Sequence, residues 1–268
     1  MAKIGFIGCG NMGSALCSAV AKAEETKNIY VADYIEKKAE ELSEKIGVNK
    51  STNEEIAQNC DFIFLAVKPQ NIEETISEIK ETLKSRKEKA IIVSMAAGTD
   101  IVSIEKMLEE DFPVIRIMPN TPAKIGEGII VYAANELVSW AEAEDFEAIM
   151  SKAGMIDRIP ENLIDAASAV SGCGPAFVYM FIEALSDGAV NCGLPRDKAL
   201  LYAAKTVSGA AQMVIETASH PATLKDAVCS PGGTTIEGVK ALEDGSFRAS
   251  AMNAVIKAYQ KTLKLKEN

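Results

Sequence analysis

Histidine is almost missing from this chain: His220 is the only one in 268 residues. Acid–base chemistry built on imidazole therefore has a single candidate. That residue stands as Ser219-His220-Pro221, where one helix should end and another begin, and reads as structural. The cysteines Cys9, Cys17, Cys60, Cys173, Cys192 and Cys229 include no C-x-x-C pair and have no histidine near them at zinc-site spacing. No metal site is expected, and a chain of this length needs no disulfide framework. Positive charge is also scarce: 28 basic residues face 38 acidic ones, a net charge of −10. This balance argues against a nucleic-acid binder, whose affinity rests on neutralising phosphates, and against docking on an anionic membrane. No run of ~18 residues is free of charges and helix breakers, so no membrane span is expected. Met1-Ala2-Lys3-Ile4-Gly5 leaves no room for a signal peptide before the first apolar run, and a cytoplasmic location is expected.

What the chain does have is a hydrophobic fraction of 48%, that of an ordinary globular protein. Its first half alternates short apolar runs with polar helical stretches. Strands are expected at Ile4–Ile7, Asn28–Ala32, Asp61–Val67, Ala90–Ser94, Val114–Met118 and Gly128–Tyr132. Helices are expected between them, at 12–23, 35–46, 72–83 and 101–108. Continuously apolar strands separated by amphipathic helices predict a doubly wound α/β fold with a parallel sheet covered on both faces. After Pro160 the strand-like runs stop and the remainder reads as helices broken by Gly, Pro and Ser. Residues 1–160 are therefore assigned to one domain and 161–268 to a second, all-helical one. The second contains an Ala-rich, nearly uncharged stretch, Lys198–Thr217, that must be buried on most of its surface. A domain of this size cannot hide it alone, so packing across a subunit interface is expected.

Gly8-Cys9-Gly10-Asn11-Met12-Gly13 follows the first expected strand and opens the first helix. In that context a G-x-G-x-x-G pattern carries a mechanism. The first glycine permits a tight turn, the second lets the backbone approach a pyrophosphate, and the third allows close helix–strand packing. The helix N-terminus then offers unpaired N–H groups to the phosphates. Asp33 closes the second strand about 20 residues on, where such a fold places the ribose-binding carboxylate. A dinucleotide, NADH or NADPH, is the expected cofactor. Asp33 favours the first, whereas Lys37 and Lys38 could reach a 2′-phosphate or simply be solvated. Three later strand ends reach the same edge of the sheet: Ala66-Val67-Lys68-Pro69, Met95-Ala96-Ala97-Gly98 and Met118-Pro119-Asn120. Lys68 suits an anionic cofactor, and the Asn120 amide could fix a nicotinamide or its ribose.

In the second half, Cys229-Ser230-Pro231-Gly232-Gly233-Thr234-Thr235 precedes the helical run Ile236–Glu243. Successive backbone N–H groups and hydroxyls at a helix N-terminus make an anion site. With no Arg or Lys in the loop, a small carboxylate fits it better than a phosphate. The alternative is a capping loop with Thr234 or Thr235 as N-cap.

The chain resembles the pyrroline-5-carboxylate reductases over its whole length. The matching blocks are Phe6-Ile7-Gly8 with Gly10-Asn11-Met12-Gly13, Ala66-Val67-Lys68-Pro69, Met118-Pro119-Asn120-Thr121-Pro122 and Ser171-Gly172-Cys173-Gly174-Pro175-Ala176. The most specific runs from His220-Pro221 through Leu224-Lys225-Asp226 to Ser230-Pro231-Gly232-Gly233-Thr234-Thr235. The resemblance implies NAD(P)H-dependent reduction of the cyclic imine 1-pyrroline-5-carboxylate to L-proline, the last step of proline biosynthesis. It implies an N-terminal Rossmann domain and a helical domain that interlocks as a homodimer, often within a homodecamer. It assigns Ser230, Gly232, Gly233, Thr234 and Thr235 to the substrate, with the Thr235 hydroxyl on the imine nitrogen. It also assigns Asn53, beside the glycine loop and strand-end residues Gly8–Gly13, Asp33, Ala66–Pro69, Ala96, Ala97 and Asn120, to the cofactor. A β-hydroxyacid dehydrogenase would carry a lysine four residues after Gly174, where this chain has Val178. A dinucleotide-sensing module without activity is the non-enzymatic alternative, and the intact second loop argues against it.

Overall fold

The apolar runs of the first half assemble into one eight-stranded sheet among the described residues. The structure is a computed structural model that describes residues 2–266. In chain order its first part runs β1 (Ile4–Ile7), α1 (Asn11–Ala23), β2 (Ile29–Ala32), α2 (Glu36–Ile46), β3 (Asn49–Lys50), α3 (Asn53–Asn59), β4 (Phe62–Leu65), α4 (Ile72–Lys84), β5 (Ile91–Ser94), α5 (Ile101–Leu108) and β6 (Val114–Met118). Then follow β7 (Gly128–Ala134), α6 (Trp140–Met150), β8 (Gly154–Arg158) and α7 (Ile164–Ser171). The strand order is β3-β2-β1-β4-β5-β6-β7-β8. All neighbouring pairs are parallel except β6 and β7. The order reverses between β1 and β4, the switch point where open α/β sheets bind ligands beyond their carboxyl ends.

Side chains alternate across this sheet and feed two cores. One face buries Ile4, Phe6, Val31, Phe64 and Val93 beneath α1, α2 and α6, with Phe6 and Phe64 stacked at 4.4 Å between ring centroids. The other buries Ile7, Ile63, Leu65 and Ile92 beneath α3, α4 and α5. Each such fully buried side chain contributes about 1.5–3 kcal/mol. The structure adds elements that the apolar pattern does not announce. Helices α3 and α6 start at capping boxes, Thr52 with Glu55 and Ser139 with Glu142, which are legible as S/T-x-x-E. Strand β3 has two residues, and β8 is a largely exposed edge strand with little apolar alternation.

By packing, the residues up to Gly172 with the described residues from Tyr259 on form one compact unit, and Cys173–Ala258 forms a second. Long-range polar contacts hold residues 161–172 to the sheet. The Arg116 side chain on β6, 2% exposed, binds Glu161 at 3.2 Å and Asp165 at 2.8 Å. At the other end of α7, the Asn120 amide donates to the Ser171 carbonyl at 2.9 Å. Ile164 of α7 also joins the core.

The second unit is helical: α8 (Gly174–Asn191), α9 (Arg196–Thr217), α10 (Pro221–Ala227) and α11 (Thr234–Asp244), followed by α12 (Phe247–Lys266), which continues past Ala258. Gly174 and Pro175, expected to interrupt the helix, instead form the first turn of α8, where proline is tolerated. The helical stretch 161–191 is long and apolar enough, by length and composition, to cross a bilayer, and only 11% of its apolar window is buried within the chain. Within residues 173–258 only Ser186, Ala199 and Ala203 are buried, whereas Tyr179, Met180, Leu200, Leu201 and Tyr202 stand exposed.

The Arg116 cluster yields a stability prediction. Asp165→Ala leaves a buried guanidinium with one carboxylate, and should lower unfolding free energy by about 3 kcal/mol. Urea denaturation at fixed protomer concentration measures it; a loss below about 1 kcal/mol would show that Glu161 alone compensates.

Candidate active site

Beyond the carboxyl ends of β1, β2 and β4 lies a cleft of about 1040 Å³. Its walls include Gly8, Gly10, Asp33, Asn53, Ala66, Val67 and Lys68, all expected from the sequence to meet a cofactor. Gly8 adopts φ +108°, a conformation that side chains rarely tolerate, as the chain leaves β1. A Cβ at Gly13 would collide with the Gly8 carbonyl oxygen, so this glycine serves helix–strand packing. Gly10 differs: a Cβ there would meet nothing within 4 Å and would project into open space. Gly10 is also the N-cap of α1, and no side chain caps that helix. Open space in front of uncapped first-turn N–H groups fits a pyrophosphate.

Asp33 ties this loop to the second strand. Its Oδ2 accepts from the Cys9 N–H at 2.7 Å and its Oδ1 from the Ile35 N–H at 2.9 Å. The Cys9 side chain turns inward and donates to the Ala32 carbonyl at 3.5 Å. Burial, reinforced by the Asp33 charge, pushes its thiol up to about 12, so it is a neutral core group. Asn11 and Met12 form the first turn of α1 and Pro69 follows Lys68, but none of these three lines the cleft. Asn53 begins α3 and donates to Glu78 at 2.9 Å from the cleft wall. Lys68 is exposed there and has no ion pair among the described residues.

The remaining expected cofactor residues follow the next strands of the sheet, β5 and β6. Ala96 and Ala97 follow β5 and do not line the cleft. Asn120 is buried, and its amide donates to the Ser171 carbonyl and accepts from the Ile129 N–H, each at 2.9 Å. These bonds span 51 and 9 residues, and nothing in the local sequence signals them.

The second-unit loop is exposed at its hydroxyl-bearing residues, Ser230, Thr234 and Thr235. Gly232 lies at φ +66°, and Gly233, not a threonine, is the N-cap of α11. No side chain caps this helix, so the capping alternative for Thr234 and Thr235 does not describe it. Both threonines occupy the first turn and are exposed, as is Ser230. The Gly233 N–H donates to the Ser230 carbonyl at 3.0 Å and is thus occupied, which differs from its expected use toward a carboxylate. The N–H groups of Thr234 and Thr235 are the donors the turn leaves over. His220 has a structural role: its Nδ1 accepts from the Ala222 N–H and caps α10. Among the described residues no cluster of His, Cys, Asp and Glu could hold a metal ion. Val178, where a hydroxyacid dehydrogenase would need its lysine, is an exposed residue of α8.

Residues 161–265 match the family described as pyrroline-5-carboxylate reductase dimerisation, and residues 3–98 match NADP oxidoreductase coenzyme F420-dependent. The pyrroline-5-carboxylate reductase of Escherichia coli is 41% identical over 269 residues, covering 99% of both proteins. That of Methanosarcina acetivorans is 42% identical, covering 98% of this chain and 97% of its own. A crystal structure of Plasmodium falciparum pyrroline carboxylate reductase with NADP bound superimposes with a TM-score of 0.87 at 35% identity, covering 99% and 98% of the two chains. With this identity sustained from end to end, the chain belongs to the pyrroline-5-carboxylate reductase family.

Proposed function

We propose that this chain reduces 1-pyrroline-5-carboxylate to L-proline with NADH or NADPH. The observation that carries the reading is the uncapped start of α11. There two exposed threonine hydroxyls and spare N–H groups sit in a loop without a cation. That donor set suits one small carboxylate, and family membership supplies the substrate that bears it. The cradle formed by Gly8, Gly10 and the start of α1 would hold the dinucleotide phosphates, with Lys68 as local countercharge. When bound, the reduced nicotinamide supplies a hydride.

The chain's own residues do the rest. The first-turn N–H groups of Thr234 and Thr235, with the Ser230 hydroxyl, fix the substrate carboxylate and so the orientation of the ring. Orientation of this kind is worth several kcal/mol. The Thr235 hydroxyl contacts the ring nitrogen, which must hold a proton as C=N becomes CH–NH. A threonine hydroxyl is too weak an acid to be the source. Thr235 therefore orients and relays a proton that comes from water or arrives on the substrate. No base is needed, which accords with an exposed Val178 and a histidine spent on capping.

The exposed faces of α8 and α9 are covered, in this reading, by a second copy. These helices carry Glu183, Asp187, Arg196, Lys198, Lys205 and Glu216 among their apolar residues, which suits a protein partner better than lipid. The reading is a homodimer from which a homodecamer can be built, located in the cytoplasm, with neither nucleic acid nor membrane as partner.

The direct test is the loss of NADH or NADPH absorbance on adding pyrroline-5-carboxylate; cofactor binding without turnover would leave only a sensing module. Thr235→Ala should lower kcat by about a hundredfold and leave dinucleotide affinity unchanged; unaltered turnover would remove Thr235 from the reaction. Gly10→Val should keep the thermal midpoint while weakening dinucleotide binding by about a hundredfold in a fluorescence titration. Normal affinity would relocate the phosphates.

A further inference from the structure

We propose that Asp33 makes this chain selective for NADH over NADPH. The inference rests on the assignment of the cleft at the β1/β4 switch point to a dinucleotide. In such folds the residue just past the second strand meets the ribose of the adenosine half. A carboxylate there accepts from the ribose hydroxyls and repels a 2′-phosphate. Asp33 directly follows β2 and lines the cleft.

Three observations make the carboxylate decisive. First, it is fixed. Bonds from the Cys9 and Ile35 N–H groups hold one oxygen each, so it cannot turn away from a phosphate without releasing the glycine loop and the start of α2. Second, it retains capacity. Each oxygen has a further lone pair beyond the one its backbone donor takes, which is what a vicinal ribose diol requires. Third, the surrounding charge does not offset it. Five carboxylates and three lysines line the cleft. Lys50 is engaged by Glu36 at 3.2 Å, and Lys37, beside the cleft, pairs with Glu41 at 3.8 Å. Lys38 and Lys68 remain without an ion pair among the described residues; with Lys68 assigned to the phosphates that join the two halves of the dinucleotide, one exposed ammonium, Lys38, is left to offset the fixed Asp33 charge. A 2′-phosphate entering here gains one mobile cation and confronts an anchored anion.

Cofactor affinity, measured without substrate, tests this. Titration of nicotinamide fluorescence should give NADH a dissociation constant at least about thirtyfold below that of NADPH. Asp33→Asn keeps an acceptor for the Cys9 N–H but removes the charge, and should bring the two constants within about threefold, chiefly by tightening NADPH. A wild-type ratio near one, a preference for NADPH, or a ratio unmoved by Asp33→Asn would overturn the proposal. Should the variant misfold, fragments decide with the wild-type protein. 5′-AMP should displace NADH at concentrations at least about tenfold lower than adenosine 2′,5′-bisphosphate does. The reverse order would overturn the assignment. Failure of pyrroline-5-carboxylate turnover alongside selective NADH binding would defeat the proposed reaction and leave this inference standing, whereas binding of neither dinucleotide would defeat both.

Discussion

Apolar helix surface that one copy of the chain cannot cover is the constraint on which the rest of this protein depends. Residues 173–258 bury only Ser186, Ala199 and Ala203, although α8 and α9 present aromatic and aliphatic side chains along their length. Removing such surface from water is the main favourable term in folding and association. Exposed patches of this kind on a soluble protein mark interaction faces. The first unit has less need, because its central strands β1, β4, β5 and β6 are buried on both faces by their own helices. The two units thus solve the burial problem differently. The loop proposed to bind the substrate, 230–235, belongs to the helical unit.

Local backbone geometry, more than titratable side chains, carries the chemistry. The proposed phosphate cradle is an absence of side chains at Gly10 in front of α1, and the proposed carboxylate site is an uncapped turn at Thr234 and Thr235. Both cofactor and substrate are anions approaching a chain of net charge −10. The net charge supplies no long-range attraction for them, so in the proposed reading binding rests on short-range donors. The lone histidine and the buried thiols of Cys9, Cys17 and Cys60 stand outside this chemistry, the first as a helix cap and the others as core.

Much of this was legible in the residues because the strands are almost uninterrupted apolar runs. Ile4–Ile7, Phe62–Leu65 and Val114–Met118 appear where the pattern places them, and the glycine fingerprint falls at β1. What was not legible is non-local. Residues 161–172 pack with the sheet because Arg116 reaches Glu161 and Asp165, 45 and 49 residues away. The Asn120 amide, assigned to a cofactor by its place at a strand end, also donates to the Ser171 carbonyl and accepts from the Ile129 N–H, partners that no local pattern announces. Edge strands β3 and β8 lack a buried face and leave little trace in hydropathy. Helices α3 and α6 had a signal in their capping boxes that the apolar period alone does not reveal.

The dependence of the helical unit on a second copy is tested most directly by thermal unfolding followed by circular dichroism across protomer concentration, with sedimentation velocity at each point. If a second copy covers α8 and α9, the protein sediments as a dimer or larger. Its unfolding midpoint then rises with concentration, as mass action requires when association stabilises the folded state. A fully helical monomer with a midpoint independent of concentration would contradict the account.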